Sequence, residues 1–201
     1  MSDHWSDFGG ASIKPVHVLG ISGSLRKASF STGVLRAMSR EEFPGVLIAV
    51  KTLEDIPLYN EDLDTDPAIP AVAKLRTVVL ESDGVVIATP EYNHGVPGVL
   101  KNALDWASRP AFASCFRGKP VLIITSAPGG TGGVRAQYQL RETLLSMHAH
   151  IVPGREIVLA GMKNRISEGR FTDPETLRVI ARGLNTLREE VLSRQSRDVS
   201  A

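Results

Sequence analysis

A chain of 201 residues with 42% hydrophobic and 22% charged residues is long enough to bury one full core and too apolar to be disordered. Its formal net charge of +1 creates no global field to recruit nucleic acid or an anionic membrane surface, and no apolar run reaches the roughly 20 residues of a membrane-crossing helix. The single cysteine, Cys115, excludes an internal disulfide and fits a reducing compartment, the cytoplasm.

In chain order, residues 1–14 carry Asp3 and Asp7 and no apolar stretch, so they read as a flexible leader rather than a secretory signal. Residues 15–195 read as a single domain and 196–201 as a tail. Five short β-branched runs follow the leader, at residues 16–21, 46–50, 84–89, 120–125 and 155–159. They are apolar almost throughout, as strands covered on both faces should be. Helical stretches lie between them. The spacing predicts helices over 32–42 and 70–82. Leu100, Ala103, Leu104 and Ala107 mark one buried helical face, and Leu140, Leu144 and Met147 mark another. A final helix is expected from Asp173 as N-cap and Pro174 at the first helical position, with Leu177, Ile180, Ala181 and Leu184 as its inner stripe. The long, acidic link over 52–69 is expected to be a surface loop.

Five strand–helix alternations predict a doubly wound α/β domain, a parallel sheet with helices on both faces. The expected strand order is the flavodoxin-like 2-1-3-4-5, whose crevice opens at the carboxyl ends of the first and third strands. Two unusual loops fall there. The first, SGSLRKASFST, suits a phosphate: Ser24, Ser29, Ser31 and Thr32 offer hydroxyls, Arg26 a charged fork, and the following helix its N-terminal amides. It is neither a GxxxxGK[ST] loop nor a GxGxxG loop, and the Gly118-Lys119 pair runs into Pro120. The competing reading makes the serines helix caps and Arg26 a solvated residue.

The second loop, PEYNHGVP, suits a flat heteroaromatic ring. Pro90 and Tyr92 can lie against the ring plane, and Asn93 and backbone donors can reach its polar edge. Glu91 either accepts from a ring or ribityl group or caps a turn; the plainer alternative is an ordinary strand-to-helix turn with Tyr92 as packing. After the fourth strand, TSAPGGTGGVR sets Ser126 ahead of four glycines, including Gly130, which let the backbone approach a ligand or simply make a pliant connector.

Other chemistry-bearing residues are weaker candidates. His94 touches substrate or merely sits in its turn. Arg109 and Arg117 are candidates for an anionic group of a substrate. His17 reads as a satisfied sheet residue. His148 and His150, two apart, cannot face one metal from a helix, so no metal site is expected. Cys115 has no CxxC partner. Neither GxSxG nor HExxH occurs, which removes support for a hydrolase or zinc protease.

These residues together resemble the NADPH-dependent FMN reductase family, with its quinone, azo and chromate reductase members. The family's phosphate pattern, Gly-Ser-x-Arg-x-x-Ser-x-Asn, stands here as Gly23-Ser24-Leu25-Arg26-Lys27-Ala28-Ser29-Phe30-Ser31, with Ser31 in place of Asn. The ring pattern stands as Pro90 to Asn93 and Pro97 to Trp106, and Gly-Gly-x-Arg as Gly132 to Arg135. The resemblance covers roughly residues 15–192. It implies an enzyme that takes hydride from NADPH or NADH and passes electrons through bound FMN to a small acceptor such as a quinone, flavin, azo compound or chromate. Ser24, Arg26, Ser29 and Ser31 would hold the phosphate and Pro90, Glu91, Tyr92, Asn93 and Ser126 the ring, with Leu25, Phe30 and Gly130 also among the cofactor-binding residues. No catalytic acid or base is implied, since the chemistry is the cofactor's. A flavodoxin-type electron carrier is the alternative, disfavoured by the neutral charge balance. The family implies a homodimer or homotetramer, and Trp106 and Phe112 belong either to such a contact or to the core.

Overall fold

The computed structural model describes residues 15–65 and 68–198; the leader over 1–14 and the last residues, 199–201, lie outside them. β1 (Val16–Ser22) is followed by α1 (Phe30–Arg40), β2 (Val46–Lys51), α2 (Pro70–Glu81), β3 (Gly84–Thr89), α3 (Gly98–Ala107), β4 (Pro120–Ser126) and α4 (Val134–Ser146). Then come β5 (His150–Ile151), β6 (Ile157–Leu159), a hairpin of β7 (Ile166–Ser167) and β8 (Arg170–Phe171), and α5 (Pro174–Asp198).

The main sheet is parallel, in the order β2-β1-β3-β4-β5, with β6 also pairing β4. The expected order is therefore realised, but its fifth position is held by two short pieces rather than one strand over 155–159. β5 pairs with Pro120 and Val121, and β6 with Ile124 to Ser126. Between them stand Pro153, which has no N–H for the ladder, and Gly154 at φ 128°, a geometry that interrupts a strand.

The apolar strands divide cleanly between two cores. Leu19, Ile21, Val85, Ile87, Val121 and Ile123 face α2, α3 and α4. Val16, Val18, Val86, Ala88, Leu122 and Ile124 face α1 and α5. Successive side chains of a strand point to opposite faces, so a strand covered on both must be apolar at every position. α5 buries Thr176, Ile180, Leu184, Leu187 and Val191, while Leu177 and Ala181 are only half-buried; the inner stripe is rotated from the expected one. Asp173 does cap this helix, accepting from the N–H groups of Glu175 and Thr176. No described helix is long and apolar enough to cross a membrane.

The 52–65 part of the expected surface loop is pinned to the core and to α3. Leu53 and Ile56 are buried, and the Pro57 carbonyl accepts from Trp106 Nε1 at 2.9 Å and Asn102 Nδ2 at 2.8 Å. The Tyr59 N–H donates to Asn102 Oδ1 at 2.7 Å, and the Tyr59 ring meets Trp106 edge-on at a 5.0 Å centroid distance. Trp106 is fully buried and is core; Phe112, 79% exposed, is surface. The helical half of the ring motif thus holds a loop on the far side of α3.

Candidate flavin site

The site forms where β1 and β3 end side by side. Ser22 Oγ shares a 2.7 Å hydrogen bond with Thr32 Oγ1, tying the strand end to the first turn of α1. Gly23 continues the ladder, its N–H donating to the Ala88 carbonyl at 2.8 Å. A Cβ on Gly23 would lie 2.3 Å from Thr89 Oγ1, so the glycine is required by the closeness of β3.

α1 begins two residues earlier than the spacing predicts, with Ser29 as its N-cap accepting from the Thr32 N–H at 3.3 Å. Phe30 and Ser31 are therefore first-turn residues rather than loop. The Gly33 N–H goes to the Ser29 carbonyl at 2.9 Å. The N–H groups of Phe30 and Ser31 have no acceptor among the described residues, which leaves two helix-terminal donors for an anion. Arg26 lies 5.5 Å over the Phe30 ring, and its guanidinium meets no carboxylate among the described residues. Ser24 is buried, and its hydroxyl accepts from the Arg26 N–H and pairs with Tyr92 Oη, each at 3.3 Å.

Across this turn lies the ring loop. Tyr92 and Gly95 exchange both backbone hydrogen bonds at 3.0 Å, closing a two-residue turn on Asn93 (φ 48°) and His94 (φ 67°). Both residues adopt the left-handed geometry of a type I′ turn, which Asn tolerates better than most residues with a side chain. Asn93 is thus accounted for by turn geometry, and its exposed side chain does not line the cavity described below. Glu91 is likewise committed. Its carboxylate accepts from the Arg135 N–H at 2.9 Å and pairs with Arg135 Nη1 at 3.0 Å, so it caps α4 rather than the turn that follows it. Burial alone would raise its pKa, but these donors and the Ala136 N–H hold it below the ordinary glutamate value.

The glycines after β4 play different parts. Gly132 stands at φ 61°, where a Cβ would be 2.4 Å from Val158, and Gly133 at φ 91° leads into α4. Gly129 and Gly130 face open space. Residues 127–129 are laced to 159–162: the Ala127 N–H donates to Leu159, the Met162 N–H to Ala127 and the Gly161 N–H to Gly129. Beneath them the hydroxyls of Ser31 and Ser126, both buried, share a 2.8 Å hydrogen bond that joins α1 to the end of β4.

These loops enclose a cavity of about 390 Å³, within the roughly 300–1,000 Å³ of small-molecule sites. Arg26, Ser29, Phe30 and Ser31 form one wall and Pro90, Glu91, Tyr92 and Ser126 another. Ala127 and Pro128, from the glycine-rich loop after β4, complete it with Lys163, which no sequence motif marked. Lys163 follows β6, and its only sequence signal was its place past a strand's carboxyl end, where such crevices open. Ser24, Leu25, Asn93 and Gly130 do not line the cavity: Leu25 is half-exposed, and Ser24 hydrogen-bonds the Tyr92 hydroxyl. The donor set fits a phosphorylated aromatic: two cations and helix amides line the same cavity as Phe30, Tyr92 and Pro90.

The weaker candidates lie elsewhere. Arg109 donates to Tyr59 Oη at 2.8 Å and Arg117 to the Phe112 carbonyl at 2.8 Å, and neither lines the cavity. His148 and His17 are exposed, the latter donating its N–H to Asp83; His150 pairs with Glu190 at 2.8 Å. Cys115 is buried, and burial pushes its thiol up to about 11. No group of His, Cys, Asp and Glu among the described residues is placed to hold a metal.

Comparison with known proteins matches this geometry. A family model described as NADPH-dependent FMN reductase matches residues 16–163. The chain is 39% identical over 173 residues to a Pseudomonas aeruginosa protein named NAD(P)H-dependent FMN reductase, covering 86% of this chain and 93% of that one. It is 40% identical over 170 residues to a quinone reductase of Escherichia coli K12, covering 84% and 87% of the two chains. Among solved structures, FerB of Paracoccus denitrificans, titled a flavoenzyme NAD(P)H:(acceptor) oxidoreductase, superposes with a TM-score of 0.77 at 29% identity, covering 89% of this chain and 98% of that one. With its sequence matched from β1 through Lys163 and its loops gathered at the switch point of a 2-1-3-4-5 sheet, the chain belongs to the NADPH-dependent FMN reductase family.

Proposed function

We propose that the protein is an FMN-dependent NAD(P)H oxidoreductase that passes reducing equivalents from a nicotinamide nucleotide to a small acceptor such as a quinone, a flavin, an azo compound or chromate. The observation that carries this reading is the cavity at the β1/β3 switch point, lined by cationic and helix-terminal donors together with Pro90 and Tyr92. The names of the relatives supply the reaction class.

Arg26 and the first-turn amides of α1 hold the phosphate. Ser31 and Ser126 support the middle of the cofactor through their shared hydroxyl bond. Pro90 and Tyr92 flank the ring, and Glu91 and Arg135 fix the loop that carries them. When bound, FMN supplies the hydride chemistry, and the protein supplies orientation and electrostatics. The protein is a homodimer or homotetramer on this reading; Tyr138 and Leu145, seven residues apart on α4 and both exposed, support such a contact. The lone buried thiol supports a cytoplasmic location.

The experiment is an absorption spectrum of the purified protein, with NADPH then added under argon. A flavin band that bleaches is the expected result. A band that persists would make the protein an electron carrier, and no band after FMN is supplied would overturn the reading of the cavity.

A further inference from the structure

We propose that Lys163 is the second cation of the phosphate site, acting with Arg26 so that the cavity takes the phosphorylated flavin as a dianion and discriminates against riboflavin. This rests on the FMN reading above.

Lys163 belongs to a single 3-10 turn, Met162–Asn164, entered through Gly161 at φ 64°. The turn is anchored on both sides. Met162 is fully buried, and its N–H donates to the Ala127 carbonyl at 3.1 Å. The hairpin that follows packs on α1, where Ile166 Cδ1 would lie 3.6 Å from a Cβ on Gly33. Lys163 is therefore fixed between the loop after β4 and the first turn of α1, and it lines the cavity beside Phe30, Ser31 and Ala127.

The charge balance of the cavity points the same way. Its one acidic residue, Glu91, is neutralised by Arg135. Neither the Lys163 ammonium nor the Arg26 guanidinium has a hydrogen-bonded or ion-paired partner among the described residues. Two uncompensated cations and two unpaired helix amides thus face one space. A phosphomonoester carries about −1.5 to −2 charges near neutral pH, which this set matches. Ser31, whose hydroxyl already bonds Ser126, contributes little more than its N–H. Arg26 supplies a directional fork and Lys163 a compact point charge.

The test titrates wild-type, Lys163→Gln and Lys163→Arg apoprotein with FMN and with riboflavin, following flavin fluorescence at low and high ionic strength. Lys163 is exposed, so folding of the variants is checked by circular dichroism. Lys163→Gln should raise the Kd for FMN about tenfold at low ionic strength and less at high, as expected of a screened charged contact. The Kd for riboflavin should not move, and Lys163→Arg should stay near wild type for both. Equal weakening of both flavins would overturn the proposal. So would an unchanged FMN Kd with a raised KM for NADPH, which would place Lys163 at the nicotinamide nucleotide instead. A wild-type protein that binds neither flavin would instead overturn the FMN reading on which the proposal stands.

Discussion

Replacing Asn102 by Ala separates two readings of the LKNALDW helix, one that places it at the ring and one that makes it a scaffold. Asn102 Oδ1 accepts from the Tyr59 N–H at 2.7 Å and Nδ2 donates to the Pro57 carbonyl at 2.8 Å. The carbonyl keeps a second donor, Trp106 Nε1 at 2.9 Å, whereas the Tyr59 N–H is left stranded in a partly buried site. Two net hydrogen bonds are worth about 0.5–1.5 kcal/mol each, and a stranded buried donor costs about 1–3 kcal/mol. Leu53 and Ile56 still anchor the loop, so the expected loss is about 2 kcal/mol, roughly a 30-fold shift in the unfolding equilibrium. Urea unfolding measures it, and limited proteolysis within 52–69 should quicken. FMN affinity should stay at the wild-type level. A loss under about 0.5 kcal/mol, or weakened FMN binding at unchanged stability, would refute the scaffold reading.

Three further outcomes follow from the geometry. Arg26→Ala should weaken FMN by about 1.5–2 kcal/mol, the lower part of the range for a charged hydrogen bond because the residue is exposed, with riboflavin unaffected; calorimetric titration checks it, and equal affinity would remove Arg26 from the phosphate site. Glu91→Gln should cost about 1 kcal/mol at neutral pH, a partly exposed ion pair at a helix N-terminus. Because the folded carboxyl titrates below its unfolded value, its contribution is complete above the ordinary glutamate range and is lost as pH falls through the folded value. The stability gap between wild type and Glu91→Gln should therefore close in acid, and a gap that widened there would contradict the assigned pair. Cys115, raised to about 11 by burial, should resist alkylation near pH 8 in the folded protein and react fully in denaturant, as read by mass spectrometry.

The sequence by itself determined the doubly wound architecture and the crevice at which its unusual loops meet. Strands such as 84–89 and 120–125 are apolar but for a terminal threonine because both faces are covered, and that local pattern needs no tertiary knowledge to read. From the strand order, the loops carrying Arg26, Ser31, Pro90 and Tyr92 had to meet at one crevice, and they do. What individual polar groups do there depended on partners distant in the chain. Glu91, which lines the cavity, is held by Arg135, 44 residues on, and Asn93 stands in a left-handed turn. Trp106 and Asn102 sit within a motif adjoining the site, yet they face a loop more than 40 residues earlier. Lys163 enters the cavity because the fifth strand position breaks at Pro153 and resumes beside the end of β4. Hydrophobic periodicity is a property of adjacent residues, so the sequence displays it directly. The pairing of a buried hydroxyl or carboxylate is a competition among every donor the fold brings near, and only the assembled structure decides it.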